Sequence, residues 1–375
     1  MKRSRIVIIG AGIAGASLAF ELLADAEVVV LEMEPMPGQH ATGRSAALFS
    51  ETYGGSLVRK LSRASRPFLL EPPIGFAAHP LLHPRGVMYI ASPEQHAAFT
   101  QMCGLPDVAQ RVREIPIEQA VQHIPILRRD RVEHVLLETD AMDIDVHGLH
   151  QGYLRAVRAA GGRIVCQAGI SAIERAASGW RVITPAQDYV ADIVVNAAGA
   201  WGDDIARLAG VEPIGLSPRR RTALIVDPPD GVVPDGWPMV IDVEESLYFK
   251  PEAGKLLLSP ADETPSAACD ALPDDYDVAV AVDRFESVTT ADVRRVRRAW
   301  AGLRTFVSDR EPVAGFSEDA PGFFWLVGQG GYGIQTAPAL ARLAASVLLD
   351  RPAPGQLAEL GIDRRALQPA RLRRA

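Results

Sequence analysis

The chain has 375 residues, more than one compact domain usually holds, so two domains are the default expectation. Its 39 Lys and Arg against 46 Asp and Glu leave a formal charge of −7, which argues against nucleic-acid binding and favours a small-molecule partner. Three cysteines, Cys103, Cys166 and Cys269, are odd in number and lack metal-ligand spacing. No disulfide framework or metal is therefore expected, a reducing cytoplasmic setting fits, and no apolar run has the length of a membrane-spanning segment.

Lys2, Arg3 and Arg5 precede the apolar run Ile6 to Ile9 and superficially imitate a secretory leader. That run leads straight into Gly10-Ala11-Gly12-Ile13-Ala14-Gly15, which reads as a strand, a phosphate-binding turn and a helix from about Ile13 to Leu23. Gly10 permits the tight turn, Gly12 the approach of a pyrophosphate and Gly15 close helix packing, with the anion at the helix N-terminus. A second strand, Val28 to Leu31, ends in Glu32, placed to accept from a ribose hydroxyl. The small-residue segment Ala41-Thr42-Gly43-Arg44-Ser45-Ala46-Ala47 suits lying against a ligand, or else starts a helix capped by Thr42 or Ser45.

A helix is expected from about Leu57 to Leu69, ended by Glu71-Pro72-Pro73, then a strand over Gly86 to Ala91 and broken helix over Glu94 to Val121. Asp145 to Ala160 reads as a long amphipathic helix whose His147 and His150 are face residues. Arg163–Gln167, Gly169–Ala176 and Trp180–Thr184 predict a three-stranded meander beside the nucleotide. Ala191 to Trp201 predicts a buried parallel strand ending in small residues, with a helix from about Asp203 to Ala209. From Arg219 to Arg304 the spaced strands Thr222–Val226, Met239–Val243, Ser246–Lys250 and Leu256–Ser259 predict an antiparallel sheet, hence a second domain. Gly322 to Val327 then runs as a strand into the glycine-rich loop Gly328 to Thr336 and a helix from Ala337 to Leu349. The Arg-rich end, Arg364, Arg365, Arg371, Arg373 and Arg374, reads as a solvated tail.

Three segments occur in a family-specific order: the opening glycine turn with Glu32, the strand end Asn196 to Trp201, and the loop Gly328 to Thr336. The chain resembles the FAD-dependent D-amino-acid oxidase and dehydrogenase superfamily. The likeness is nearest to the bacterial D-arginine dehydrogenases through Thr42 to Ala47, Leu149 to Arg155, Val195 to Trp201, Trp300 to Arg304 and Gln329 to Thr336. It implies an α/β fold: a Rossmann-like FAD domain over 1–82, 142–215 and 305–375, and an α+β substrate domain over 83–141 and 216–304. Non-covalent FAD is implied, in contact with Gly10, Gly12, Ile13, Ala14, Gly15, Glu32, Thr42, Gly43, Arg44, Ser45, Ala46, Ala47, Ala198, Gly199, Trp201, Gly330, Gly331, Tyr332, Gly333, Ile334, Gln335 and Thr336. The second glycine-rich strand-loop-helix supports FAD over NAD independently, and no second G-x-G-x-x-G appears.

Oxidising an amino acid at Cα requires its carboxylate to be clamped, and an arginine fork does this bidentately. The resemblance assigns that clamp to Arg304 and to Arg221, whose neighbours Arg219 and Arg220 compete for the same alignment; an interdomain salt bridge is the other role for both. It assigns Tyr53, in a glycine-flanked lid loop, and Tyr248 to the carboxylate, and the Gly331 carbonyl to the substrate amine. No side chain offers itself as a base, so the amine loses its proton to solvent and hydride passes to flavin N5. The imino acid then hydrolyses to a 2-oxo acid and ammonia.

Two departures fall in the side-chain pocket: Val87 stands where arginine- and lysine-preferring relatives have an acid, and Leu48 where they have a histidine. A cationic side chain against Leu48, Val87, Met239 and Ile241 would cost several kcal/mol without a counter-charge, so an apolar-leaning pocket is expected. Glu51 could swing in to restore a negative charge, but it reads as an exposed loop residue. The readings are therefore a D-amino-acid dehydrogenase passing electrons to a quinone or oxygen, a glycine- or sarcosine-type amine oxidase, a 2-hydroxy-acid dehydrogenase, or a non-catalytic flavin-binding protein.

Overall fold

In a computed structural model describing residues 3–374, alternation along the first strand decides how the layers stack. Ile6 and Ile8 of Ser4–Ile9 face helices, whereas Val7 and Ile9 face a small antiparallel sheet. The parent sheet has six strands in the order 313–316, 323–327, 193–196, 4–9, 26–31 and 163–165. All its pairs are parallel except Val313–Phe316 with Phe323–Val327. Helices Ile13–Leu22, Ser56–Leu70, Val146–Ala159 and Gly333–Leu348 build one side. Because four parallel strands end together near Ile9, Leu31, Asn196 and Val327, their carboxyl ends open a shared crevice.

The meander on the other side differs from expectation. Its strands are Ala172–Arg175, Trp180–Ile183 and Asp188–Ala191, while Arg163–Val165 leaves it to pair in parallel with Ala26–Leu31. Ile164 and Val165 have apolar partners on both faces of the parent sheet, which an exposed meander edge would not supply. A bend at Asp192 separates the third meander strand from the parallel strand Ile193–Asn196, two elements where one was expected.

The second large sheet has nine strands, in the order 264–265, 217–226, 255–259, 248–252, 239–242, 87–91, 134–138 and 113–114, with Val296–Phe306 also paired to Ser217–Val226. It is mixed rather than antiparallel, since Met239–Asp242 runs parallel to Val87–Ala91. One face packs on helix Asp275–Val288 around Phe249 and Phe285. The other face, with Val87, Tyr89, Met239, Ile241 and Tyr248, turns toward the first sheet. The expected solvated tail is instead docked: turns over 364–367 and 369–374 pack on Val313–Phe316, and Arg371 pairs with Asp309. Lys2 and the side chains of Arg373 and Arg374 lie outside the described residues.

Candidate active site

The opening turn is built by contacts that only glycine permits. A Cβ at Gly15 would stand 1.9 Å from the Gly10 carbonyl oxygen, and Gly10 itself adopts φ +103°. Glu32, buried at the end of its strand, accepts from the Ala11 amide at 2.8 Å and the Glu34 amide at 3.1 Å. Residues 41–47 form no helix of their own; Thr42 instead accepts from the Ile13 amide at 3.0 Å, at the first residue of the helix Ile13–Leu22. His150 lies beneath the turn, with Nε2 2.8 Å from the Ala11 carbonyl oxygen, and burial lowers its pKa. A neutral ring donating from Nε2 satisfies that oxygen, a role its helical-face position did not reveal.

Over this turn runs a cavity of about 410 Å³. Gly10, Gly12, Ile13, Ala14, Glu32, Thr42, Arg44, Ser45, Ala46, Ala198, Gly199, Trp201, Gly330, Gly331, Gly333 and Ile334 all border it. Gly15, Gly43, Tyr332 and Thr336 do not; Gly15 and Gly43 instead allow close backbone crossings, at Gly10 and Gly38. Arg44 borders the cavity with its charge already engaged, by Asp270 and by the carbonyls of Ala271 and Ala301. Gly38, His40, Cys269 and Gly302 also line it and were not anticipated; their signal is spatial, since they arrive from turns and strand ends far apart in sequence.

A smaller cavity of about 40 Å³ adjoins the first, sharing Ser45, Ala46, Tyr248, Arg304, Gly331 and Ile334 with it. Ala47, Leu48, Tyr53, Met239, Ile241, Glu245 and Gln335 complete its wall. Val87 does not: it is fully buried behind, paired with Met239 in the next strand. Arg304 Nη1 donates to the Tyr53 hydroxyl at 3.2 Å, and no carboxylate within 4 Å neutralises it among the described residues. A Cβ on Gly331 would lie 2.6 Å from the same nitrogen. Tyr53 donates onward to Glu245 at 3.2 Å and packs edge-on against Tyr332 at 5.1 Å. Burial raises the Tyr53 pKa, so its phenol stays neutral.

The alternation of strand Ser217–Val226 sets Arg220 apart from Arg219 and Arg221, and their partners separate the latter two. Arg220 turns to Asp277 on the helix side, Arg219 donates to the Glu263 carbonyl, and only Arg221 borders the larger cavity. Arg221 Nε donates to the Asp262 carbonyl and Nη2 to Glu263, while Nη1 is buried without a partner among the described residues. Burial works against the Glu263 charge, but Arg310, Arg221 and Arg304 outweigh it and hold its pKa down.

Two carboxylates alter the expected picture. Glu51 is not an exposed loop residue: it is buried and paired with Arg66 at 2.8 Å and Arg111 at 2.6 Å. Glu245 supplies an acid on the cavity wall that the sequence reading missed, because Glu244-Glu245-Ser246 at a strand connection looks like any solvated turn. The pocket is thus not wholly without a counter-charge. The lid expected around Tyr53 is tied at every residue from Ser50 to Gly54, the last through Arg59.

A nucleotide crevice at the carboxyl ends of a parallel sheet, closed by a second sheet bearing arginine and tyrosine, defines a dinucleotide-cofactor oxidoreductase. Residues 5–347 match the DAO family, described as FAD dependent oxidoreductase, and the chain belongs to that family. Its cofactor is FAD. L-proline dehydrogenase from P. horikoshii is similar over 100% of this chain and 98% of its own, at 20% identity and a TM-score of 0.84. Glycine oxidase from Geobacillus kaustophilus is similar over 93% and 96%, at 22% identity and a TM-score of 0.79. Human mitochondrial dimethylglycine dehydrogenase is 24% identical over 96% of this chain and 44% of its own length. A Xenopus laevis FAD-dependent oxidoreductase domain-containing protein 1 is 30% identical over 44% and 36%. The chain thus spans less than half the length of these two curated relatives. No helix among the described residues is long and apolar enough to cross a membrane.

Proposed function

We propose that the chain oxidises amino acids at Cα, with D-configured, apolar-leaning side chains as its substrates. The observation that carries this reading is the wall shared by the two cavities, where Arg304 presents a guanidinium with no anionic partner among the described residues. A substrate carboxylate supplies that partner, with Tyr248 adding a neutral donor, Tyr53 a second once its proton turns from Glu245, and Arg221 a second cation from the larger cavity.

The larger cavity suits FAD: backbone amides at the N-terminus of the Ile13–Leu22 helix would hold the pyrophosphate, and Glu32 and Ala168 to Ile170 line the end beyond. The N-terminus of the Gly333–Leu348 helix, with Gly331 and Ile334, lies where the two cavities meet and would favour negative charge on the ring. When bound, FAD supplies the acceptor for the hydride leaving Cα. This chain's residues fix the carboxylate, turn the Gly331 carbonyl to the amine and line the side chain with Leu48, Met239 and Ile241. The amine proton goes to solvent. In this reading 1–82, 142–215 and 305–375 hold the cofactor non-covalently, while 83–141 and 216–304 cover the substrate.

A second reading, a glycine- or sarcosine-type amine, is favoured by the small size of the smaller cavity, about 40 Å³ against about 410 Å³ for the larger. Anaerobic bleaching of the flavin band near about 450 nm separates the readings. Apolar D-amino acids should bleach it. Bleaching by glycine and N-methyl amino acids alone selects the second reading, bleaching by D-arginine assigns Glu245 as counter-charge, and bleaching by 2-hydroxy acids alone refutes amine chemistry.

A further inference from the structure

The most deeply buried carboxylate near the site touches neither cavity. Glu138, on strand His134–Glu138, is 2% exposed, and no Lys, Arg or His pairs with it among the described residues. It is held by hydrogen bonds alone. Oε2 accepts from Ser50 Oγ at 2.8 Å and Thr52 Oγ1 at 2.6 Å, and Oε1 from the Glu51 amide at 3.1 Å. Since Thr52 spends its proton on Glu138, the Tyr89 hydroxyl, 2.9 Å away, donates to Thr52. Every donor in this network runs inward to one carboxylate.

Such an arrangement is a poor way to gain stability. Burial pushes the Glu138 pKa up, and the Thr52 and Ser50 hydroxyls only partly offset it. An apolar side chain would occupy the same place at lower cost. What a carboxylate does, and a leucine does not, is fix three consecutive residues by their polar groups. Those residues immediately precede Tyr53, whose hydroxyl lies on Arg304. On the other side of the same segment the Ser50 amide donates to Gln335 Oε1 at 3.1 Å. Gln335 borders the smaller cavity, and its Nε2 is buried without a partner among the described residues. Sheet register completes the link: Glu138 is opposite Val87, and Val87 is opposite Met239 of the cavity wall.

The geometry points to Glu138 as a positioning residue that acts through Ser50, Glu51 and Thr52 to hold the Tyr53 phenol on Arg304 and the Gln335 amide at the cavity. It rests on the proposed substrate reading only where binding of a carboxylate is concerned. Glu138 touches no reacting atom.

The test uses the FAD-loaded protein, benzoate as carboxylate probe, and amide hydrogen exchange over residues 50–55. Glu138→Gln keeps the shape but cannot accept from all donors. It should weaken benzoate binding, read from the visible flavin spectrum, by at least about tenfold. Exchange over 50–55 should speed up by a similar factor, with FAD content and melting temperature retained, and Glu138→Asp should restore part of the affinity. A purely structural residue would move melting temperature and FAD content instead. Thr52→Val removes one arm of the network and gives the same readout if Glu138→Gln fails to fold. Benzoate affinity within twofold of the parent overturns the proposal, whether or not exchange changes. If the parent itself does not bind benzoate while exchange over 50–55 still rises in Glu138→Gln, the substrate reading fails and the hold of Glu138 on the segment stands.

Discussion

Gly331→Ala tests the carboxylate clamp without removing any charge. The backbone of Gly331 lies outside the left-handed region, so alanine is sterically acceptable to the main chain itself. Its new methyl, however, would sit 2.6 Å from Arg304 Nη1, 2.7 Å from Cζ and 2.9 Å from Nε, where ordinary contact begins at 3.4 Å. The shortfall, 3.4 minus 2.6, is 0.8 Å, and it falls on the far end of a flexible side chain. The guanidinium therefore moves and the fold stays. A displacement of about 1 Å from the reacting geometry costs on the order of 10²-fold in rate, or about 2.7 kcal/mol. Anaerobic stopped-flow reduction of the flavin by the best substrate should show that loss with FAD content unchanged. Gly330→Ala is the contrast: its Cβ would meet the Phe306 ring at 2.2 Å, at a residue with φ +54°, so FAD content should fall as well. Reduction by Gly331→Ala within twofold of the parent would refute the assignment of Arg304 as the group that orients the substrate.

Arg304→Ala should raise the apparent KM by about 10- to 100-fold, since a charge-assisted hydrogen bond is worth about 1.5–3 kcal/mol; unchanged steady-state kinetics would reject the clamp. Gly15→Ala, which forces a Cβ to 1.9 Å from the Gly10 carbonyl oxygen, should yield protein without a visible flavin band, and normal FAD occupancy would contradict the turn's role. Acid precipitation should leave FAD in the supernatant, because non-covalent binding is proposed even though Cys269 borders the cavity; a yellow pellet would point to a covalent link. Glu21 is pushed by burial from 4.5 to about 7, so its protonated form favours the fold. Its stabilising contribution is full below about pH 4.5 and is lost as pH rises through about 7. Glu21→Gln should therefore gain up to roughly 3 kcal/mol over the parent at pH 8 and little at pH 5, measured by denaturant melts.

The first sheet was legible because its signals are local. Ile6 to Gly15 carries strand, turn and helix in ten adjacent residues, and Phe323 to Ile334 repeats the pattern near the other end. The second sheet was legible only as isolated strands. Helix Asp275–Val288 buries just Asp277, Ala281 and Phe285, too sparse a stripe to announce itself, and the 11-residue strand Val296–Phe306 opens with exposed arginines. The parallel pairing of Met239–Asp242 with Val87–Ala91 joins segments about 150 residues apart, and no periodicity reports such a partner.

The same non-locality governs the electrostatics of the pocket. Position 87 seemed to decide the pocket's charge because Val87 stands where basic-substrate relatives have an acid. In the folded chain Val87 is walled off by Met239, and the carboxyl groups that matter come from its neighbours in space. Glu138, its cross-strand partner, is spent on Ser50, Glu51 and Thr52, so it gives order to the wall rather than charge to the interior. Glu245, from the turn beyond Asp242, reaches the rim and is spent in part on Tyr53. A cationic substrate would have to share Glu245 with the Tyr53 phenol or break that hydrogen bond in order to gain a grip on the side chain. An apolar substrate makes no such demand, which is the physical reason to rank it first.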